Sequence, residues 1–368
     1  MLNVGILFGG ESVEHDVSIL SAMQVIKAID QNKYQIIPLY ITKKGELLTG
    51  KRFKEIATFK NEFKIKKREY VNLMYFNDQG YLSFPFQKFK KRLKIDLILP
   101  IVHGKGVEDG NISGFLEILK IPHSSPKIMG ASIAQDKEFT KIVLESMNIK
   151  TVPYEVLYND NYQFTNHDFP KIIKPARLGS SIGIKKVNSQ QECTEAIKEA
   201  FRYDEKVIVE QALTNFKEYS IAIYFRKEEL VVSDIEELIL QEDIYKFTDK
   251  YERGNKGETN HIIPAKINKK LEEKIKEIGR KIYEKLELSG IVRIDFLYDL
   301  AKKELYVNEI NTIPGSLAFY LFKDQNISFT KLIDDLIKQT LINKEKKKNY
   351  ISSFESNILN RNTLSMKK

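Results

Sequence analysis

The chain has 368 residues, 42% hydrophobic and 30% charged, a length that holds two or three domains and an apolar share that supports real cores. No apolar run approaches the ~20 residues a bilayer-spanning helix needs, so no membrane association is expected. The net charge of +9 arrives without a zinc spacing, a recognition-helix pattern or an aromatic RNA signature, which argues against nucleic acid, and the single cysteine, Cys193, excludes an internal disulfide and fits a reducing cytoplasm.

Residues 1–130 alternate strand and helix. The apolar start reads as a strand over 4–8 rather than a signal peptide. It runs into Gly9 and Gly10, and Ser12 is placed to cap a helix whose apolar stripe is Ile19, Ala22, Met23, Ile26 and Ile29. A second strand covers 34–41, short β-like pieces fill 45–92, and the apolar run 95–102 has the pattern of a buried parallel strand. A helix over 112–119 follows. This is an open α/β unit whose ligand loops belong at the C-terminal ends of its strands. Residues 131–211 read as an α+β unit, with a helix over 132–147, strands over 171–174, 182–187 and 207–211, and a helix over 190–201. Residues 212–343 open with strands over 219–225 and 230–234. The polar stretch 241–261 has few apolar anchors, and a ~20-residue loop inside a compact domain is often functional. A helix over 267–286, a hairpin and a helix over 329–342 complete the unit. Residues 344–368 read as a polar, frayed tail.

The hairpin carries the strongest chemical signal. Ile291-Val292-Arg293-Ile294-Asp295-Phe296 and Leu305-Tyr306-Val307-Asn308-Glu309-Ile310-Asn311 both alternate as strands do, with Tyr298-Asp299-Leu300-Ala301-Lys302-Lys303 as the turn. Side chains two apart share a face, so Arg293 and Asp295 point one way, as do Glu309 and Asn311. Paired, the strands bring Asp295, Glu309 and Asn311 together beside Arg293. Three oxygen ligands on a rigid sheet suit Mg²⁺ and a substrate phosphate, and the arginine suits a developing anion.

Other loops have suitable positions. Lys174-Pro175-Ala176-Arg177-Leu178-Gly179-Ser180-Ser181-Ile182-Gly183 sets a Gly/Ser loop behind a lysine, either an ordinary hairpin or an anion-binding nest. It is not a Walker sequence, and Gly9 to Asp16 is not a dinucleotide fingerprint. The polar loop 103–110 follows a buried strand. His15 and His103 are candidate proton shuttles, and Glu14 is either a helix-dipole partner or a ligand group. The Gly315 N–H, after the Pro314 turn, can face an oxyanion.

Taken together, these segments resemble the ATP-grasp superfamily and, within it, the D-alanine–D-alanine ligases. The matching residues are Gly9-Gly10 with Val13-Glu14-His15-Asp16-Val17-Ser18, His103 to Gly110, Asp136-Lys137, and Lys174-Pro175 with Gly179-Ser180-Ser181-Ile182-Gly183. They continue through Asp249-Lys250-Tyr251, Arg293-Ile294-Asp295 and Asn308-Glu309-Ile310-Asn311-Thr312-Ile313-Pro314-Gly315. They run in the family's order from residue 4 to about 320. The resemblance implies an ATP-grasp fold behind an N-terminal open parallel α/β domain, in a cytoplasmic homodimer that joins two D-alanines for peptidoglycan synthesis.

It also implies roles. Lys137 and Lys174 contact ATP phosphates, and Lys250 reaches the γ-phosphate from the 241–261 lid. Glu210, Gln211 and Leu213 line the adenine pocket, and Glu218 holds the ribose. Asp295, Glu309 and Asn311 hold two Mg²⁺ (or Mn²⁺). Glu14 meets the amine of the first D-alanine and is linked through Ser180 to Tyr251. His103 lies near that substrate, while Arg293 and Gly315 stabilise the tetrahedral intermediate. The sequence departs from the family after Gly315, where Ser316-Leu317-Ala318-Phe319-Tyr320-Leu321 leaves Ser316 or Tyr320 to meet the second substrate's carboxylate. Gln211 stands where the family has lysine, and Tyr245-Lys246-Phe247-Thr248 replaces the usual lead into the lid. Tyr251 argues against depsipeptide-forming relatives. The alternatives are a ligase with another acceptor such as D-serine, another dipeptide synthetase, or a nucleotide sensor without catalysis.

Overall fold

The computed structural model describes residues 1–87, 91–104, 106–158, 168–239, 261–347, 351 and 354–356. Lys250, Tyr251 and the rest of the expected lid up to residue 260 lie outside the described residues, as does most of the expected tail.

Near the N-terminus, Leu2–Gly9 is the centre of a parallel trio, between Tyr34–Ile41 and Leu97–Val102, with Leu47–Leu48 antiparallel at one edge. All six residues of Leu97–Val102 are buried, which is why that stretch has no polar alternation. Helix His15–Ala28 lays Ile19, Ala22, Val25 and Ile26 on this sheet. It starts later than Ser12 suggests. Gly9 and Gly10 take left-handed φ and prolong the turn, so the Ser12 hydroxyl accepts from the Glu14 N–H (3.1 Å) and secures the approach instead of capping the helix. Strands Asn72–Phe76, Gln79–Ser83 and Arg92–Ile95 form a three-stranded antiparallel meander.

The second sheet is antiparallel, ordered Lys185–Val187, Lys171–Pro175, Val207–Gln211, Tyr154–Leu157, and covered by helix Gln190–Ala200. Two sequence expectations change here. The helix over 132–147 is two helices, Ile128–Gln135 and Lys137–Ser146. Asp136 between them is extended and accepts from the Glu138 and Phe139 N–H groups at 3.1 and 3.3 Å, so a capping residue breaks a continuous apolar pattern. The strand over 182–187 shrinks to Lys185–Val187, because Ser180, Ser181 and Gly183 are all left-handed and keep the chain turning.

The third sheet has six strands. Phe216–Arg226 lies between Ile291–Asp299 and the short strand Glu236–Leu238. Glu304–Asn311 and His261–Ile262 are the outer strands, and Glu229–Val232 also pairs with Phe216–Arg226. Helix Lys269–Lys285 packs Ile275, Ile282 and Tyr283 against Ile221, Ile223, Val292 and Ile294. Helix Phe329–Lys347 crosses to the first sheet. Its Leu332, Ile333, Leu336 and Ile337 share one core with Val4, Ile6 and Phe8 from the chain start and with Tyr224 and Phe322. Each fully buried aliphatic or aromatic side chain there contributes roughly 1.5–3 kcal/mol of transfer energy. The first and third sheets are thereby fixed to one another, and a cleft opens between them and the second.

Candidate active site

A cleft of about 560 Å³ lies where the three sheets meet. Its floor is the third sheet. Across that sheet Glu236 stands opposite Ser220, Ser220 opposite Asp295, and Asp295 opposite Glu309; in the next row Ala222, Arg293 and Asn311 are neighbours. A bulge between Asp295 and Phe296 leaves Asn308 without an opposite residue. It lets Val307 and Ile310, three apart, enter the same core while Glu309 and Asn311 face the cleft.

Asp295 is buried beneath this floor and does not itself line the cleft. Its Oδ1 accepts from Ser220 Oγ and Arg293 Nε, both at 2.8 Å, and its Oδ2 accepts from an Arg293 terminal N–H (2.8 Å) and Asn311 Nδ2 (2.9 Å). Those four donors match the lone pairs a carboxylate offers. Although burial disfavours its charge, Arg293 is held firmly protonated by Asp295. Among the described residues no three acidic, histidine or cysteine side chains cluster as metal ligands. The donor set is two carboxylates, Asp295 and Glu309, and the Asn311 amide.

Lysines occupy one end. Lys137, in the first turn of its helix, donates Nζ to Leu178 O at 2.7 Å, and burial lowers its pKa, with Glu309 opposing that shift. Lys174 lies 2.7 Å from Glu210, whose other oxygen is 2.9 Å from Lys141. Burial would raise the Glu210 pKa, but Lys174 and Lys141 hold it down at about 2. Gln211 donates to Pro170 O at 3.1 Å. Lys174, Glu210, Gln211 and Leu213 stand back from the cleft wall, whereas Lys137 and Glu218 line it. Sequence reading did not single out Lys141, which sits four residues after Lys137 on the same helix face; that spacing was the available signal.

Beside the carbonyl that holds Lys137, Glu14 accepts from Ser180 Oγ, which fastens the second sheet's Gly/Ser loop to the first helix. Two glycines make room for it. A Cβ on Gly179 would lie 2.9 Å from Glu14 Oε2, and one on Gly104 the same distance from that atom. His103 Nε2 is 3.3 Å from Ser21 Oγ, and that hydroxyl also accepts from the Ser316 N–H at 3.0 Å. Burial pushes His103 down to about 4, so at neutral pH it is an uncharged bridge. His15 is tied to Gly10 O (2.6 Å) and Tyr40 OH (3.1 Å) and does not line the cleft.

Glu108, from the loop after Leu97–Val102, accepts from Gly104 N–H (3.0 Å), Ile313 N–H (2.9 Å) and Thr312 Oγ1 (3.1 Å), joining the first sheet's loop to the turn behind the hairpin. Burial and the nearby Glu14 charge raise its pKa to about 7. Beyond that turn Ser316, Leu317 and Ala318 are left-handed in succession, a strained arrangement of roughly 1–2 kcal/mol per residue. It brings Gly315, Ser316 and Tyr320 to the cleft. Tyr320 OH is 3.3 Å from Glu236 Oε2, and burial with the Glu236 charge raises the phenol's pKa. Ser21, Glu108, Ser220, Glu236 and His261 had no assigned role in the sequence. Ser220 was within reach, two residues after Glu218 on the same strand face.

Three sheets meeting at a cleft lined by both lysine and carboxylate side chains define the ATP-grasp class of fold. The D-ala D-ala ligase N-terminus profile matches residues 3–126 and the D-ala D-ala ligase C-terminus profile matches residues 143–338. A curated D-alanine–D-alanine ligase of Thermosipho melanesiensis is 40% identical over 366 residues, covering 98% of each chain. Among solved structures, a D-alanine–D-alanine ligase from Helicobacter pylori is 28% identical with a TM-score of 0.72, covering 92% of this chain and 98% of that one. VanG, a D-Ala:D-Ser ligase from Enterococcus faecalis, is 27% identical with a TM-score of 0.74, covering 92% and 99%. This chain belongs to the D-alanine–D-alanine ligase family.

Proposed function

We propose that the chain joins two D-alanines at the expense of ATP, giving D-alanyl-D-alanine, ADP and phosphate for peptidoglycan synthesis. The observation that carries this reading is the Asp295–Arg293–Asn311–Glu309 cluster on one sheet face, with Lys137 and Glu14 lining the same cleft close enough to interact electrostatically. Nucleotide phosphates belong with Lys137 and Lys174. The first D-alanine belongs against Glu14, which takes its ammonium group. Its carboxylate oxygen attacks the γ-phosphorus, and the bond to the β-phosphate oxygen breaks. The acceptor's amine then attacks the acyl carbon, forming the C–N bond as phosphate leaves with its C–O bond broken and the amine loses a proton. Phosphoryl transfer needs mainly positioning and charge neutralisation. Arg293 and the Gly315 N–H are the donors for the oxyanion.

The hard-oxygen donors Asp295, Glu309 and Asn311 fit Mg²⁺ (or Mn²⁺), which when bound neutralises phosphate charge. Asp295 must surrender one of its four hydrogen bonds to take part. No helix among the described residues is long and apolar enough to cross a membrane, and we assign the protein to the cytoplasm as a homodimer.

Purified protein is expected to release ADP and form dipeptide with ATP and D-alanine. Dipeptide formed only when D-serine or another amino acid is added replaces the acceptor assignment, and no turnover with any pair alongside tight ATP binding replaces the ligase by a sensor. A second expectation is local. Gly179→Ala presses a methyl on Glu14 and should raise the KM for D-alanine about tenfold, a charged hydrogen bond being worth roughly 1.5–3 kcal/mol. Steady-state kinetics check this, and an unchanged KM removes Glu14 from the amine site.

A further inference from the structure

Two amino-acid substrates bring two ammonium groups into one cleft. Glu14 accounts for one. Of the other carboxylates near the floor, Glu108 is spent on Gly104, Thr312 and Ile313, and Asp295 on Arg293, Ser220 and Asn311. Glu236 is different. It is 1% exposed, yet it lines the cleft. Its Oε2 accepts from Tyr320 OH, while its Oε1 receives no hydrogen bond from any described residue. His261 Nδ1 comes within 2.7 Å of that oxygen without the alignment of a hydrogen bond. A buried carboxylate oxygen lacking a donor is uncommon and costs roughly 1–3 kcal/mol or more.

Its place in the row is informative. Lys137 is coupled to Glu309 at one side of the sheet, Asp295 follows, and Glu236 stands two strands beyond Asp295, a separation of about 10 Å from strand spacing. Phosphates at the lysine end and an acyl group at Arg293 leave the Glu236 end for the acceptor. There Tyr320 has committed its hydroxyl hydrogen to Glu236. The pair therefore offers the cleft oxygen acceptors, an edge that suits a cation and repels a carboxylate.

We propose that Glu236, oriented by Tyr320 and His261, receives the ammonium group of the acceptor amino acid and makes an amine, rather than a hydroxyl, the preferred acceptor. The inference rests on the ligase reading above. It gives Tyr320 a positioning role in place of the contact with the acceptor's carboxylate expected from the sequence. That carboxylate is left to Ser316 or to neighbouring donors.

The test compares two products of the purified enzyme with ATP and D-alanine: dipeptide, and the hydroxamate formed when neutral hydroxylamine captures the acyl phosphate without needing an ammonium site. Glu236→Gln is expected to lower dipeptide formation at limiting D-alanine about tenfold more than hydroxamate formation, through the acceptor KM. His261→Gln, on a side chain 41% exposed, should show the same split at about threefold, a weaker effect because it acts through the carboxylate, and it decides the matter alone if Glu236→Gln does not fold. A parallel fall of both products, or no fall in either, overturns the subsite. A wild-type enzyme that yields neither product overturns the ligase reading instead.

Discussion

Asp295→Asn is expected to reduce ATP-dependent ADP release by roughly two to three orders of magnitude, the scale seen when one preorganised charge-stabilising group is removed from a reaction centre. The replacement keeps the shape of the side chain but changes two things at once. One oxygen becomes an amide NH₂ that faces donors on Arg293, Ser220 or Asn311, whichever way the amide turns. The negative charge that holds Arg293 is also lost. Arg293 keeps 22% of its side chain exposed to the cleft, so its desolvation is incomplete. We expect a stability loss near the low end of the range for broken buried pairs, about 3 kcal/mol. The chain should therefore remain folded at 25 °C and melt cooperatively at a lower temperature. A coupled assay for ADP and a thermal melt on the same preparation separate the two effects. Turnover within threefold of wild type would remove Asp295 from the reaction centre.

The residues behind that expectation were legible because they depend on local periodicity. Arg293 and Asp295, and Glu309 and Asn311, share a sheet face at a spacing of two, and the turn between their strands is short enough to read as a hairpin. The long helices and the buried strands of the first sheet were readable for the same reason. What escaped reading depends on long-range register or on competition between local signals. Glu236 gains meaning only because its short strand pairs with Phe216–Arg226 and sets it opposite Ser220; nothing within five residues of it announces a cleft. The break at Asp136 was hidden because apolar residues continue at helical spacing on both sides, and only the cap reveals which signal prevails. The bulge at Asn308 shifts the register by one residue, which alternation alone does not anticipate. Likewise, Lys141 looks like an ordinary lysine until the fold closes it, together with Lys174, on Glu210.

That closure leads to the second large effect. Glu210→Gln should destabilise the chain by about 3–5 kcal/mol at neutral pH, because it leaves Lys174 and Lys141 buried without a counter-charge. The two cations lie 2.7 and 2.9 Å from the carboxylate, and all three side chains are at most 5% exposed. Solvent therefore screens the interaction little. The pH dependence follows from the direction of the shift. In the folded chain the carboxylate titrates at about 2, below its ordinary value of 4.5. A depressed carboxylate stabilises the fold above its unfolded pKa, and that contribution is lost as pH falls toward the folded value. The difference in unfolding free energy between wild type and Glu210→Gln should be full at pH 7, begin to shrink below about pH 4.5, and continue to shrink toward pH 3. Denaturant melts at successive pH values measure it directly. A gap that stayed constant or widened on acidification would mean that Glu210 is not held ionised by the two lysines.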